Sequence, residues 1–276
     1  MRGCTVAGLC RLSGISRQGY YRKKVYREHR DEQRCKVIAL VIEHRQQHPR
    51  MGTRKLHHEL SERFTEAQVQ IGRDRLFKLL NENNLLVEPK KRSVRTTYSD
   101  HSLPVYRNLL NDRGVSSANQ AWVADITYID TDEGFLYLSL LTDLYSRKIV
   151  GWNLAENLKA EQSIKALEMA IAELPANRWP IHHSDRGSQY CCHEYVHVLN
   201  QRGISISMTE QNHCYENAHA ERINGILKDE YYLDLRFRNK EQARVATQQA
   251  INLYNNHRPH LALNMRRPGQ VHQLAA

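Results

Sequence analysis

Three acidic residues are set apart by their neighbours and spacing. Asp125 lies in W-V-A-D-I-T-Y (Trp122 to Tyr128), Asp185 in H-S-D-R-G-S-Q-Y (His183 to Tyr190) and Glu221 in E-N-A-H-A-E-R-I-N-G-I-L-K, with 35 residues between the second acid and the third. Carboxylates are hard oxygen ligands, suited to Mg²⁺ or Mn²⁺ rather than to soft metals. Two such ions, roughly 3.5 to 4 Å apart, can serve the attacking and the leaving oxygen of an in-line phosphoryl displacement. Singly, an Asp at a strand end is commonly a turn former and a Glu on a helix a solvated charge. Three in this order suggest a metal-dependent phosphoryl-transfer site that needs no protein nucleophile. The nearby Ser and Tyr residues form no G-x-S-x-G sequence, so a hydrolase triad is not indicated.

These acids need elements to hold them. From Gln120 to Ile129, Trp122, Ala124, Ile126 and Tyr128 alternate with Val123, Asp125, Thr127 and Ile129, a period-two strand with the aspartate on one face. A carboxylate inside such a strand wants a cation or donors beside it. Pro180 to His182 reads as a short strand stopping at Asp185, with Gly187 turning the chain. Glu221 falls on a helix from about Asn217 to Tyr231, where Ala220, Ile223, Leu227 and Tyr231 make an apolar stripe beside a face carrying Asn217, Glu221, Asn224 and Lys228. Strands at 135–141 and 148–154, a helix at 160–174, a helix at 189–201 and an edge-like strand at 203–208 complete a mixed sheet flanked by helices. His182 and His183, beside the second acid, are expected to be structural groups rather than ligands.

The pattern of two aspartates and a glutamate, with Lys228 seven residues after the glutamate, resembles the DDE transposases and retroviral integrases. W-V-A-D-I-T-Y, H-S-D-R-G-S-Q-Y and Y-N-N-H-R-P-H (Tyr254 to His260) resemble the OrfB type of bacterial insertion-sequence transposase, and the likeness covers nearly the whole chain. It implies an α/β ribonuclease H-like fold preceded by small all-α helix-turn-helix modules. It also implies catalytic, metal-binding roles for Asp125, Asp185 and Glu221, two Mg²⁺ or Mn²⁺ ions, and DNA contacts from Asn217 and Lys228. Water would attack when an element end is nicked, and the freed 3′ hydroxyl would attack in strand transfer. Homo-oligomers on DNA and fusion to, or partnership with, an upstream OrfA protein are further implications. Two other readings start from the same residues: a ribonuclease H-like nuclease, which would not need the basic first third, and a DNA-binding regulator with an inactive core, which would not need all three acids.

Charge points the same way. The chain has 276 residues and a net charge of +10, but Met1 to Arg113 carries 24 Lys+Arg against 12 Asp+Glu while the rest carries 16 against 18. A basic front part of this kind grips a polyanion. Thr5 to Leu12 and Ser16 to Arg22 have helix-turn-helix proportions around Ser13 to Ile15, with Ser16 as N-cap and Arg17, Gln18, Tyr20 and Arg22 placed to reach DNA. A helix over 31–48 follows, with His44 and His48 on a solvated face. Next comes one capped by Thr53, then one over 72–83 that buries Leu76, Phe77, Leu79 and Leu80 and exposes Arg73, Arg75 and Lys78. The run P-K-K-R-S-V-R, with Lys90, Lys91 and Arg92, begins a linker that could track phosphate. The expected division is 1–30 helix-turn-helix, 31–88 second helical module, 89–118 basic linker, 119–232 catalytic core, and 233–276 a last helix with an irregular basic tail in which Arg258 binds DNA or caps the helix. Six cysteines without a C-x-x-C pair indicate neither a disulfide framework nor a zinc ribbon. With no long apolar run and no signal-like core, a cytoplasmic, bacterial setting is expected.

Overall fold

The structure is a computed structural model that describes residues 5–88, 103–111, 114–210 and 217–275. It forms two compact units, Met1–Glu88 and Pro89–Ala276. In the first, the Thr5 hydroxyl accepts from the Gly8 amide and begins α1 (Val6–Leu12), and the Ser16 hydroxyl accepts from the Gly19 amide and begins α2 (Arg17–Arg45). Gly14, with φ +65°, turns the chain between them. No Pro interrupts α2 and its one Gly lies in its first turn, so the helix runs unbroken for 29 residues. The two separate helices expected at 16–22 and 31–48, and a boundary at residue 30, are therefore replaced by one rod.

Only the second half of that rod is buried. Val37 and Val41 pack with Leu56 of α3 (Thr53–Glu59), Phe64 of α4 (Ser61–Glu66) and Leu76, Leu79 and Leu80 of α5 (Arg73–Glu82). Three expectations are corrected here. Gly52, not Thr53, is the N-cap of α3. Phe77 is exposed, because the buried stripe of α5 runs through its neighbours at 76, 79 and 80. His48 is buried and stacks on half-buried His44 rather than lying on a solvated face.

The second unit is built on a five-stranded sheet of order β3-β2-β1-β4-β5. Strands β1 (Ala121–Ile129), β2 (Leu136–Asp143) and β3 (Ile149–Ala155) are antiparallel, while β4 (Ile181–Ser184) and β5 (Ser205–Met208) run parallel to β1. Alternation along β1 separates two cores. Trp122 and Ala124 join Ala166, Leu167 and Ala170 of α6 (Ala160–Ala172) and Tyr195 and Leu199 of α8 (His193–Gln201). On the other face, Ile129, Leu138 and Leu140 meet Ile223, Ile226, Leu227 and Tyr231 of α9 (Ala218–Tyr231) and Ala250, Ile251 and Tyr254 of α10 (Lys240–Asn256). Gly151 of β3 lets α6 lie close on the sheet, since a Cβ there would run into the Ala166 carbonyl oxygen.

The helix expected at 189–201 is broken in two, α7 (Ser188–Cys191) and α8, by the extended backbone of Cys192. The expected irregular tail contains a 3-10 turn at Leu261–Leu263 and a helix, α11 (Pro268–Ala275). Arg258 caps α10 through its backbone, its amide donating to the Leu253 carbonyl at 2.9 Å, while its buried guanidinium grips both oxygens of Glu230 at 2.8 Å. Part of the expected linker is not free either. Leu103 and Tyr106 pack on the α6 side core, and the Leu109 amide donates to Ser207 Oγ at 2.9 Å. Among the described residues no helix is long and apolar enough to cross a membrane.

Candidate active site

Asp125 faces α9. Its Oδ1 accepts from the Ile126 amide at 2.9 Å and its Oδ2 from Asn224 Nδ2 at 2.7 Å. Asp125 is half-buried, and desolvation by the protein packed around its carboxyl, followed by the charges of Asp185 and Glu221, pushes its pKa up to about 7 against the pull of both hydrogen bonds. Asp185 and Glu221 therefore both lie within electrostatic reach of Asp125. Asp185 follows β4 and its Oδ1 accepts from the Gly187 amide at 3.0 Å, a tight turn in which a Cβ on residue 187 would press on that oxygen. Glu221 is exposed in the first turn of α9, a helix docked by the apolar stripe.

Lys228 places its ammonium 4.2 Å from the centre of the Tyr128 ring. Burial lowers its pKa, while the charge of Asp125 partly restores it. This cation stands on the acid-bearing face of α9. Asn217, expected as a DNA contact, is buried, and its side-chain amide donates to the Ala124 carbonyl at 3.2 Å, tying the start of α9 to β1. His182 and His183 are both buried. His182 Nε2 pairs with the Tyr195 hydroxyl at 2.9 Å and His183 Nδ1 with Ser207 Oγ at 2.9 Å.

Asn224, placed by the sequence on the face of Glu221 and Lys228 but given no role there, bonds Asp125, and Tyr128 and Tyr190, also given no role, lie beside Lys228 and the aspartates. Asn224 carried a usable signal, standing three residues after Glu221 and four before Lys228 on one helical face. Tyr190 is buried among His182 and Tyr195, and its hydroxyl is held far above its ordinary range by burial, by Tyr195 and by Asp125 and Asp185. In the first unit Arg17, Gln18, Tyr20, Arg22, Arg73 and Arg75 are all exposed, although Arg73 bonds its neighbour Asp74 at 2.8 Å. Lys90, Lys91 and Arg92 lie outside the described residues.

Three carboxylates supply the hard oxygen donors that Mg²⁺ or Mn²⁺ takes, and the charges of Asp185 and Glu221 raise the proton affinity of Asp125; on that ground the residues fit a divalent cation. Among the described residues no three Asp, Glu, His or Cys side chains have converged as a finished metal cage.

The sheet order places one acid on its middle strand, one just beyond the neighbouring strand and one on a helix that covers that face. Two models of the integrase core domain match residues 115–214 and 202–268. The chain is 38% identical to the uncharacterized 31 kDa protein of insertion element IS600 from Shigella sonnei, across 97% of this chain and 100% of that one. It is 31% identical to the transposase InsF for insertion sequence IS3A of Escherichia coli (strain K12), across 93% of this chain and 90% of that protein. Among solved structures, the HTLV-2 integrase catalytic core domain in complex with magnesium aligns at 20% identity and TM-score 0.45, over 56% of this chain and 97% of that one. The simian T-cell lymphotropic virus intasome in complex with PP2A regulatory subunit B56 gamma aligns at 20% and 0.48, over 80% of this chain and 74% of that one. The chain belongs to the DDE transposases of insertion sequences, enzymes of the integrase-core family.

Proposed function

We propose that Asp125, Asp185 and Glu221 are the catalytic carboxylates, that together they hold two Mg²⁺ or Mn²⁺ ions, and that the chain uses them to cut DNA at the ends of its insertion sequence and join the freed 3′ ends to target DNA. The observation that carries this reading is the Asp125 carboxyl, raised to about 7 by burial and by the two other acids. When bound, the ions would supply activation of the attacking oxygen and stabilisation of the leaving 3′ oxygen. The chain itself supplies placement. Ile126 N and Asn224 Nδ2 hold both oxygens of Asp125, Gly187 N orients Asp185, and the stripe of α9 sets Glu221 against the sheet. Lys228, kept on Tyr128, is suited to a DNA phosphate beside the acids.

DNA is gripped ahead of the core in this reading, by Arg17, Gln18, Tyr20, Arg22, Arg73 and Arg75 and by the run Lys90, Lys91 and Arg92. Charge supports it, since the first 113 residues carry twice as many cationic as acidic side chains. The active species would be a homo-oligomer on DNA in the bacterial cytoplasm, joined by an OrfA partner. Nicking of linear DNA bearing candidate ends, with Mg²⁺, tests the proposal. Asp185→Asn and Glu221→Gln should abolish cutting and leave DNA binding nearly intact. Cutting by either variant at more than a few per cent of wild type would sink the assignment.

A further inference from the structure

We propose that Arg186 is a positioning residue for the reaction: it locks the turn carrying Asp185 to the connection that leads to Glu221, and through Glu210 to the strap that enters the core. Its half-buried guanidinium donates from Nε to the Thr209 carbonyl at 2.7 Å and from Nη2 to the Glu210 carbonyl at 2.6 Å. A planar fork of donors matches two successive carbonyls in a way that an ammonium on a flexible stem cannot fully reproduce. Thr209 is itself buried and its amide donates to the Ser184 carbonyl at 3.1 Å, so the connection is held on both sides of Asp185, by residue 184 before it and residue 186 after it.

The strap at 103–111 reaches the same place twice. The Asn108 amide donates to Glu210 Oε1 at 2.9 Å, next to the carbonyl that Arg186 holds. The Leu109 amide donates to Ser207 Oγ, which also pairs with His183 two residues before Asp185. Both contacts are buried or partly buried, so leaving either unmade would strand a polar group. The segment that precedes the core is thus bonded to the residues flanking one acid and to the start of the path to another. Arg186 joins the Asp185 turn to the start of that path through its bonds to the Thr209 and Glu210 carbonyls.

This inference rests on the three-carboxylate reading. It is tested with the full-length chain by cutting rate against DNA concentration and by Mn²⁺ uptake, followed through the electron paramagnetic resonance of free Mn²⁺ without DNA. Arg186→Ala is expected to lower the maximal rate by about tenfold to a hundredfold, the effect of misplaced reacting groups, while moving half-saturating DNA by no more than about twofold. It should also weaken Mn²⁺ uptake, and Arg186→Lys should recover part of both. A wild-type rate with wild-type Mn²⁺ uptake in Arg186→Ala overturns the proposal, as does a loss confined to DNA affinity. Should Arg186→Ala lose its native circular dichroism, Arg186→Gln, which keeps a donor for one carbonyl, decides: an intermediate rate supports the clamp and a wild-type rate overturns it. Asp185→Asn is the control. If it still cuts, the carboxylate assignment has failed; if it is dead while Arg186→Ala is normal, only the clamp has failed.

Discussion

Asp125 carries the sharpest consequence at the scale of single residues. Its carboxyl titrates near 7 in the folded chain against 3.8 for an ordinary aspartate. Between those values the folded state binds more protons than the unfolded one, so without a divalent ion stability falls as pH rises from about 4 to about 7. Asp125→Asn removes that penalty and keeps a side chain of the same shape. In EDTA at pH 8 the variant should therefore melt higher than wild type, the gap should close at pH 4, and cutting should be lost throughout. A wild type that is the more stable protein in EDTA at pH 8 would show that Asp125 is not held against its charge. His182 gives the opposite sign. Burial, and then the neighbouring His183, lower its pKa from 6.5 to about 3, so the unfolded chain binds the extra proton in that window and this contribution to stability is lost as pH falls from about 6.5 toward 3. His182→Gln should flatten the acid limb of the melting profile, and an unchanged limb would assign the acid sensitivity to other groups. The three acids were visible in the sequence because their motifs and spacing are local patterns. Asn224 was harder to see, for its value lies in a hydrogen bond to a residue 99 positions away.

Among the elements, α9 is the one whose packing and chemistry are inseparable. Leu227 is buried among Leu138, Leu140 and Tyr254 on the face that Asp125 shares, and Glu221 lies on the same helix. Leu227→Ala should cost about 2 to 5 kcal/mol of stability, the range for a truncated core leucine. It should also lower cutting at temperatures where the chain is still folded, since the helix that carries Glu221 loses its seat. Urea unfolding and a cutting assay on the same preparation would check both, and full activity in a destabilised variant would separate the stripe from the site. That stripe was readable because four apolar residues at helical spacing leave little choice of face. The break at Cys192 was not, since no Gly or Pro marks it, and the exposure of Phe77 could not be inferred when three apolar neighbours offered a sufficient stripe. The continuity of α2 is a different case. A basic run of good helix formers without a breaker permits one rod, but a charged exposed face carries no periodic signal to say where helix and turn meet.

At the scale of the whole molecule, the division between a basic front unit and a catalytic unit sets the last prediction. A core fragment would by sequence alone start near Ser117, yet the strap places Leu103 and Tyr106 in the core and bonds Asn108 and Leu109 to Glu210 and Ser207. A fragment of residues 103–276 should therefore be more stable than one of residues 117–276, and only the longer should retain metal-dependent cutting. Both omit most of the basic excess, so both should bind DNA weakly. For every phosphate no longer neutralised, the slope of log affinity against log salt should flatten by about 0.9. Preference for the element's own ends should fall further than affinity, because phosphate contacts carry no sequence information and base-edge contacts do. Measuring affinity for end and scrambled DNA across a salt series, for the full chain and both fragments, tests the whole division of labour. Should the 103–276 fragment keep the full-length salt slope and the preference for ends, DNA reading would belong to the catalytic unit, and the exposed cations of α2 and α5 would serve something else.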